Sequence, residues 1–381
     1  MRAPNTANEP TIASPDGAAR RSLHILISVD AVGGVWRYAM DLAASLGAAG
    51  YRFTFAGFGP QPSAAQRSEA ERFGELVWFD VPLDWTAEKE ADLDVVPAIL
   101  SDLVRERGIE LVHLNLPSQA CGLTLDIPVL VVSHSCVVTW FAGVRQSEVP
   151  ADWMWQYRLN RAGFDVADVV VAPSHAHADM LRKSYGHIDG LGVVYNGTKP
   201  VEASAPKENQ VFSAGRWWDD GKNGAVLDAA APHTVWPVIM AGSQRGPNGQ
   251  YRDLLHARYL GELPHGEIMG WMTRSAIVAS PSLYEPFGLA PLEAAQAGAA
   301  LVLADIPTYR ELWDGAAVFA PANDAEAFAA AINRLANDDL LRGELARNAR
   351  ERSTRFTLEA QAVAMQSIYQ HLLHPVAAME A

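Results

Sequence analysis

What most constrains this chain is a repeated alternation of short apolar runs with stretches of helical spacing. In the first half the runs are "HILISV" (24–29), "FTFAGF" (53–58), "LVWFDV" (76–81), "LVHLNL" (111–116), "VLVVSH" (129–134), "VVVAPS" (169–174) and "VVYNG" (193–197). Their β-branched residues fall on both parities, as in strands buried on both faces. Between the first two lies "VWRYAMDLAASLGAAG", which places Val35, Tyr38, Ala39, Leu42 and Leu46 on one helical stripe, with Gly50 as its stop. A parallel sheet flanked by helices is therefore expected.

A second series follows: "VFSAG" (211–215), "VIMAG" (238–242), "RYLGEL" (258–263), "IVASPS" (277–282), "ALVLAD" (300–305) and "AVFA" (317–320). With 381 residues and 49% hydrophobic content, the chain holds more apolar surface than one core absorbs, so two domains are expected. Residues 21–197 read as the first domain, the polar, proline-bearing stretch 198–209 as a linker, and 210–356 as the second. Residues 357–381 form a closing segment whose helix, 358–373, carries an apolar stripe through Leu358, Ala362, Met365, Ile368, Tyr369 and Leu372. Residues 1–20 have no apolar period and no signal-peptide core, and read as a disordered tail.

The remaining composition narrows the partners. A net charge of −14 argues against a long nucleic acid, which needs a broad basic face, but leaves room for a small anion held by a few local cations. It also limits contact with an anionic membrane to a peripheral one. The apolar runs fall short of the roughly 20 residues of a spanning helix, so a soluble protein is expected. Cys121 and Cys136 suit a reducing cytoplasm and form no C-x-x-C pair, so metal binding through sulfur is not anticipated. The acidic "DLD" (92–94) lies on an expected helix away from any strand end.

Three strand-end loops carry the chemistry. In "SVDAVGGVWRY", Gly33 and Gly34 let backbone amides approach an anion at a helix start, although a tight turn without a ligand has the same look. In "SAGRWWDDGKN", Arg216 and Lys222 form a plausible diphosphate clamp, with a structural salt bridge to Asp219 or Asp220 as the competing account. In "SLYEPFGLAPLEAAQAG", Glu285 ends a strand, Pro286 to Gly288 turn the chain, and a helix is expected from about Ala290 to Ala297, with Pro291 in its first turn and Gly298 closing it. The amides around Gly288 and Leu289 are then free to bind hydroxyls or negative charge, and Glu293 can accept two hydrogen bonds from a vicinal diol. A capped helix with solvated glutamates is the bland alternative.

These residues resemble a known family. Glu285 and Glu293 within "PSLYEPFGLAPLEAAQAGAALVLAD" are similar to the E-x7-E signature of retaining glycosyltransferases of family 4, which have the two-domain GT-B fold. "VGGVWRYAMDLAASL", "VVSHS", "ADVVVAPSHAHADML", "VVYNGTKP", "SAGRWWDDGKN" and "YLGELPHGEIMGWMTRSAIVASPS" follow in the family's order, over about residues 22–373. The resemblance implies two Rossmann-like domains facing across a cleft, with the closing helix crossing back to the first. It implies transfer of a sugar from a nucleotide-diphosphate donor to a hydroxyl of a sugar or glycolipid acceptor, with retention and with neither metal nor cofactor, the nucleotide sugar being a co-substrate. It assigns Glu293 to the ribose, Glu285 to the donor sugar, and the amides of Phe287, Gly288 and Leu289 to sugar and phosphates. Arg216 and Lys222 would hold the diphosphate, Gly33 and Gly34 would approach it from the other domain, and His134 would stand beside the sugar. Gly261 to Leu263 would lie near the base.

One departure stands out. Many family members place the clamp lysine five residues after the arginine and follow it with glycine, whereas here Lys222 comes six after Arg216 and Asn223 takes the glycine's place. The acceptor is expected against the first domain, where "TWFAGVRQSEVPADWMWQYR" concentrates Trp140, Phe141, Trp153, Trp155 and Tyr157, either as sugar or lipid platforms or as core packing. Two other functions remain open: a sugar-nucleotide epimerase on the same fold and a noncatalytic sugar-binding protein.

Overall fold

The structure, a computed structural model, describes residues 22–201 and 205–374. The expected tail at 1–20, part of the expected linker (202–204) and the last residues, 375–381, lie outside the described residues. The first strands are β1 (His24–Asp30), β2 (Arg52–Phe58), β3 (Gly74–Trp78), β4 (Leu111–Leu114), β5 (Val129–Val132), β6 (Val169–Ala172) and β7 (Leu191–Val193). The second series is β8 (Glu208–Ala214), β9 (Val238–Ala241), β10 (Arg258–Tyr259), β11 (Ser275–Ser280), β12 (Ala300–Ala304) and β13 (Ala317–Ala320).

Among the described residues these strands form two sheets, ordered β3-β2-β1-β4-β5-β6-β7 and β10-β9-β8-β11-β12-β13. The ladders are parallel. Parallel strands need crossovers, and the helices that supply them cover both faces. β1 is buried along its whole length, which explains why its apolar run lacks alternation. Each sheet thus anchors its own core: one large cluster in the second lobe, and two in the first, on opposite faces of its sheet.

Some element boundaries differ from the sequence reading, for local reasons. The run "RYLGEL" is a strand only at Arg258–Tyr259, because Gly261 turns into the left-handed region (φ +79°). "LVHLNL" ends at Leu114, because Asn115 leaves the ladder to bond Ser28 through its backbone N–H and side-chain amide. The "VVYNG" strand starts earlier, at Leu191. The segment holding "DLD" is a short 3-10 turn, Glu90–Leu93, rather than an α-helix.

The closing helix runs Leu358–Leu373 as expected, with the Thr357 hydroxyl accepting from the Ala360 N–H as its cap. It does not pack on the lobe it leaves. Ala362, Met365 and Tyr369 join the first lobe's core beside Ile25, Leu42 and Leu111, and the Tyr369 hydroxyl meets His113 Nδ1 at 2.7 Å. Among the described residues no helix is long and apolar enough to cross a membrane. Met365 is fully buried, so Met365→Ala is expected to cost about 2–5 kcal/mol. The measurement is the denaturant midpoint of unfolding, and an unchanged midpoint would mean that the helix contributes nothing to the first lobe's stability.

Candidate functional site

Both sheets reverse direction at a pair of central strands: β1 beside β4 in the first, β8 beside β11 in the second. Loops leaving the carboxyl ends of such a pair diverge and open a crevice, the usual ligand position in open α/β sheets. All three loops singled out in the sequence leave these ends. Gly33 and Gly34 follow β1, Arg216 follows β8, and Glu285 follows β11.

The two crevices face each other at close range. A Cβ on Gly33 would stand 3.1 Å from Arg216 Nη1, and one on Gly34 would stand 3.7 Å from Leu289 Cδ1. The Ser174 hydroxyl donates to the Pro286 carbonyl at 2.7 Å, and the Tyr284 hydroxyl lies 2.8 Å from Thr139 Oγ1 and 3.2 Å from Ser135 Oγ. Just after β6, the Glu311 carboxylate accepts from the His175 and Ala176 amides, so an acid of the second lobe caps a helix of the first.

Within this cleft, Lys222 Nζ donates to Glu285 Oε2 at 2.5 Å, both side chains largely shielded. The extra loop residue therefore does not carry Lys222 away from the site. Asn223 takes up the left-handed conformation (φ +53°), which glycine adopts most readily and asparagine tolerates among the other residues. Its amide then ties the loop to the carbonyls of Pro281 and Ala322. The competing salt-bridge account holds only loosely for Arg216, whose Nη2 stands 3.6 Å from Asp219 Oδ2. Asp220 pairs instead with Arg145 and Arg252.

The helix after Glu285 spans Leu289–Gln296, with Gly288 as its N-cap at φ +95°. A Cβ at Gly288 would meet Tyr309 at 2.9 Å, so the turn needs glycine for both its dihedral and its space. The Phe287 side chain is buried among Tyr195 and Phe356, so any contact from this residue to a ligand is through its backbone. Pro291 is the third helical residue, where a missing N–H costs no helical bond. Glu293, 13% exposed, accepts from His265 Nε2 at 3.0 Å. The picture of two merely solvated glutamates is thus corrected: both are shielded and each has a basic partner. The bond to Glu293 raises the pKa of His265. Gly261 accepts from the Gly242 N–H through its carbonyl, and Leu263 packs against the second lobe's core.

His134 follows β5 on the first-lobe side, with its Nε2 2.9 Å from Asn115 Oδ1 and its ring edge-on to Tyr38 at 4.4 Å between centroids. Burial, helped by His113 and His177, pushes its pKa down to about 3, so it is neutral near pH 7. Asp30, at the end of β1, has its carboxyl pushed up by burial, opposed by the Val32 and Gly33 amides and by the charge of Arg216. In the aromatic segment, Trp155 is buried and Tyr157 stacks on Tyr185, so both are packing residues. Trp153 is 39% exposed, and Trp140 reaches across the cleft to donate to Asp219 Oδ1 at 2.9 Å.

Sequence reasoning missed Asn115, Trp140's link to Asp219, His265, Tyr284 and Glu311. Asn115 alone carried a local signal, as a polar residue ending an apolar strand. The others depend on the packing of one lobe against the other, or of two helices in the second.

Comparison with known proteins gives the family. Residues 32–201 match the description "Glycosyltransferase Family 4" and residues 199–352 match "Glycosyl transferases group 1". A glycogen synthase of Mycobacterium tuberculosis is 26% identical over 277 residues, 66% of this chain and 65% of that protein. The chain thus matches slightly less than two thirds of this relative's length. Among solved structures, sucrose-phosphate synthase from Thermosynechococcus elongatus superposes with a TM-score of 0.75 at 18% identity, covering 93% of this chain and 100% of that one. Anabaena Alr3699/HepE in complex with UDP-glucose gives 0.69 at 18% identity, covering 91% and 100%. The chain belongs to the group 1 glycosyltransferases, and its two facing sheets are the GT-B fold.

The buried histidines give a pH prediction. His113 and His134 are lowered to about 3 and His177 to about 4 from 6.5, chiefly by burial. The native state then binds fewer protons than the unfolded chain between these values, so their contribution is complete above pH 6.5 and is lost as the pH falls through that window. Thermal melts between about pH 6 and 4 should show a falling midpoint, with a shallower slope in His177→Gln. An equal slope in that variant would contradict the assignment.

Proposed function

We propose that this protein is a retaining glycosyltransferase that moves a sugar from a nucleotide-diphosphate donor to a hydroxyl of a glycan, polysaccharide or glycolipid acceptor. The observation that carries this reading is the convergence of Arg216, Lys222, Glu285 and the Gly288 turn at one switch point, facing Gly33 and Gly34 of the other. Breaking a glycosyl phosphate bond builds negative charge on the departing diphosphate. Fixed cations and free amides placed there stabilise that charge most in the transition state. Arg216 and Lys222 supply the cations, and the first-turn amides after Gly288 supply the donors.

Glu285 is already in ion-pair contact with Lys222, which disfavours a role as an unpaired attacking carboxylate of the kind retaining hydrolases use. Attack from the donor's own face, with the leaving phosphate oxygen taking the acceptor proton, fits this arrangement. Glu293 exchanges its bond from His265 for the ribose hydroxyls, and Glu285 orients the sugar. His134, neutral, offers a hydrogen bond to the sugar without adding charge. In this scheme no metal is required, because the two cations neutralise the diphosphate. UDP-glucose, the ligand in the Anabaena structure, is the first donor to try.

The test is a panel of UDP-, GDP- and ADP-sugars assayed for nucleoside diphosphate release with candidate acceptors, and the anomeric configuration of the product read by NMR. Arg216→Ala should lower turnover by roughly 100-fold or more, as loss of an oxyanion-type donor does. Glu293→Ala should mainly raise the donor KM, and excess EDTA should leave the rate unchanged. Full activity in both variants, or an inverted product, would overturn the reading.

A further inference from the structure

The longer clamp loop, the feature in which this sequence departs from the family pattern, touches the first lobe directly. Trp140 ends the Val137–Trp140 helix, and its indole N–H donates across the cleft to Asp219 Oδ1 at 2.9 Å. Arg145, lying over the Trp140 ring at 5.0 Å, pairs with Asp220 of the same loop at 2.5 Å. Just after the two acids, Gly221 makes room for the contact: a Cβ there would stand 3.0 Å from Trp140 Nε1 and 3.3 Å from Val144 Cγ2. The Gly221 carbonyl in turn accepts from the Leu283 N–H at 2.9 Å, two residues before Glu285.

Asp219 is a neighbour that could disable Arg216. Three residues apart in sequence, the two could close into a full ion pair that draws the guanidinium away from the cleft. They do not. Asp219 Oδ1 is held by Trp140 and by the Gly221 N–H at 2.9 Å, and Oδ2 is left 3.6 Å from Arg216 Nη2, beyond good hydrogen-bond length. Arg216 stays within reach of Gly33 instead, on the side where a phosphate would lie.

We propose that Trp140 is a positioning residue: by occupying Asp219 when the lobes meet, it keeps Arg216 available to the leaving diphosphate, so that transfer depends on the first lobe's contact while nucleotide capture does not. This rests on the glycosyltransferase reading above. It also gives the additional loop residue a purpose, since the loop's two acids are what the first lobe engages.

The experiment uses the full-length protein and the donor identified by the panel, with kcat and the donor KM read separately. Trp140→Phe keeps the ring and removes the donor. It should lower kcat roughly tenfold, the worth of one hydrogen bond to a charged group, while the donor KM changes by less than about twofold, because the charge that Arg216 meets develops only as the bond breaks. Adding Asp219→Asn, which keeps the acceptor oxygen for Gly221 but removes the charge that competes for Arg216, should restore most of the lost turnover. Wild-type kcat in Trp140→Phe, a rise in donor KM as large as the loss of kcat, or a double variant no faster than the single one would each overturn the proposal. If Trp140→Phe does not fold, Gly221→Ala, which forces the same contact open, should show the same loss and the same rescue, and the same failures count against it. Arg216→Ala assayed alongside separates the two levels: if it retains wild-type turnover, the underlying functional reading falls, whereas its inactivity beside a fully active Trp140→Phe removes only the role given to Trp140.

Discussion

Parallel pairing governs this molecule. When strands run in one direction, their carboxyl ends lie on one edge of the sheet, and the reversal in strand order leaves a single gap there. Two such sheets, turned edge to edge, bring a glycine loop of one against an arginine loop of the other, so that a Cβ on Gly33 would stand only 3.1 Å from Arg216 Nη1. A side chain at that position would have to push Arg216 aside. The cleft's chemistry follows from this constraint, because its charged groups sit on loops and helix starts whose origin the strand order dictates.

The site is also built in balanced pairs. Lys222 faces Glu285, His265 faces Glu293, and Asp219 lies between Arg216 and Trp140. Partly shielded charges are costly to hold alone, so each has a neighbour that offsets it. A ligand bearing phosphates and hydroxyls can exchange into these contacts one at a time. His134 achieves the same economy differently, losing its charge to burial while keeping a hydrogen bond to Asn115.

Much of this was legible in the sequence, for physical reasons. Buried parallel strands announce themselves as short β-branched runs, and the final helix by its stripe through Ala362, Met365 and Tyr369. Glycine at 288 and the two glutamates around it follow from local turn and helix rules. The end of "RYLGEL" was misread because hydrophobicity alone cannot show that Gly261 takes a positive φ. The contacts of Trp140, Tyr284 and Glu311 were beyond reach for another reason: each bridges residues far apart in the chain, and no local period encodes such a meeting. The aromatic segment shows both outcomes side by side, with Trp155 claimed by the core and Trp140 by the opposite lobe.

The return of the closing helix has a consequence for how this chain is made. During synthesis the amino-terminal half leaves the ribosome first, and domains ordinarily fold in that order. Here the leading half lacks three of its own interior side chains until the Leu358–Leu373 helix has emerged, since Ala362, Met365 and Tyr369 complete a wall of its core. The trailing half, whose own interior is finished by Phe356, can mature before the leading one is sealed. The core of the leading half is therefore completed by a helix that is made only after the whole second sheet.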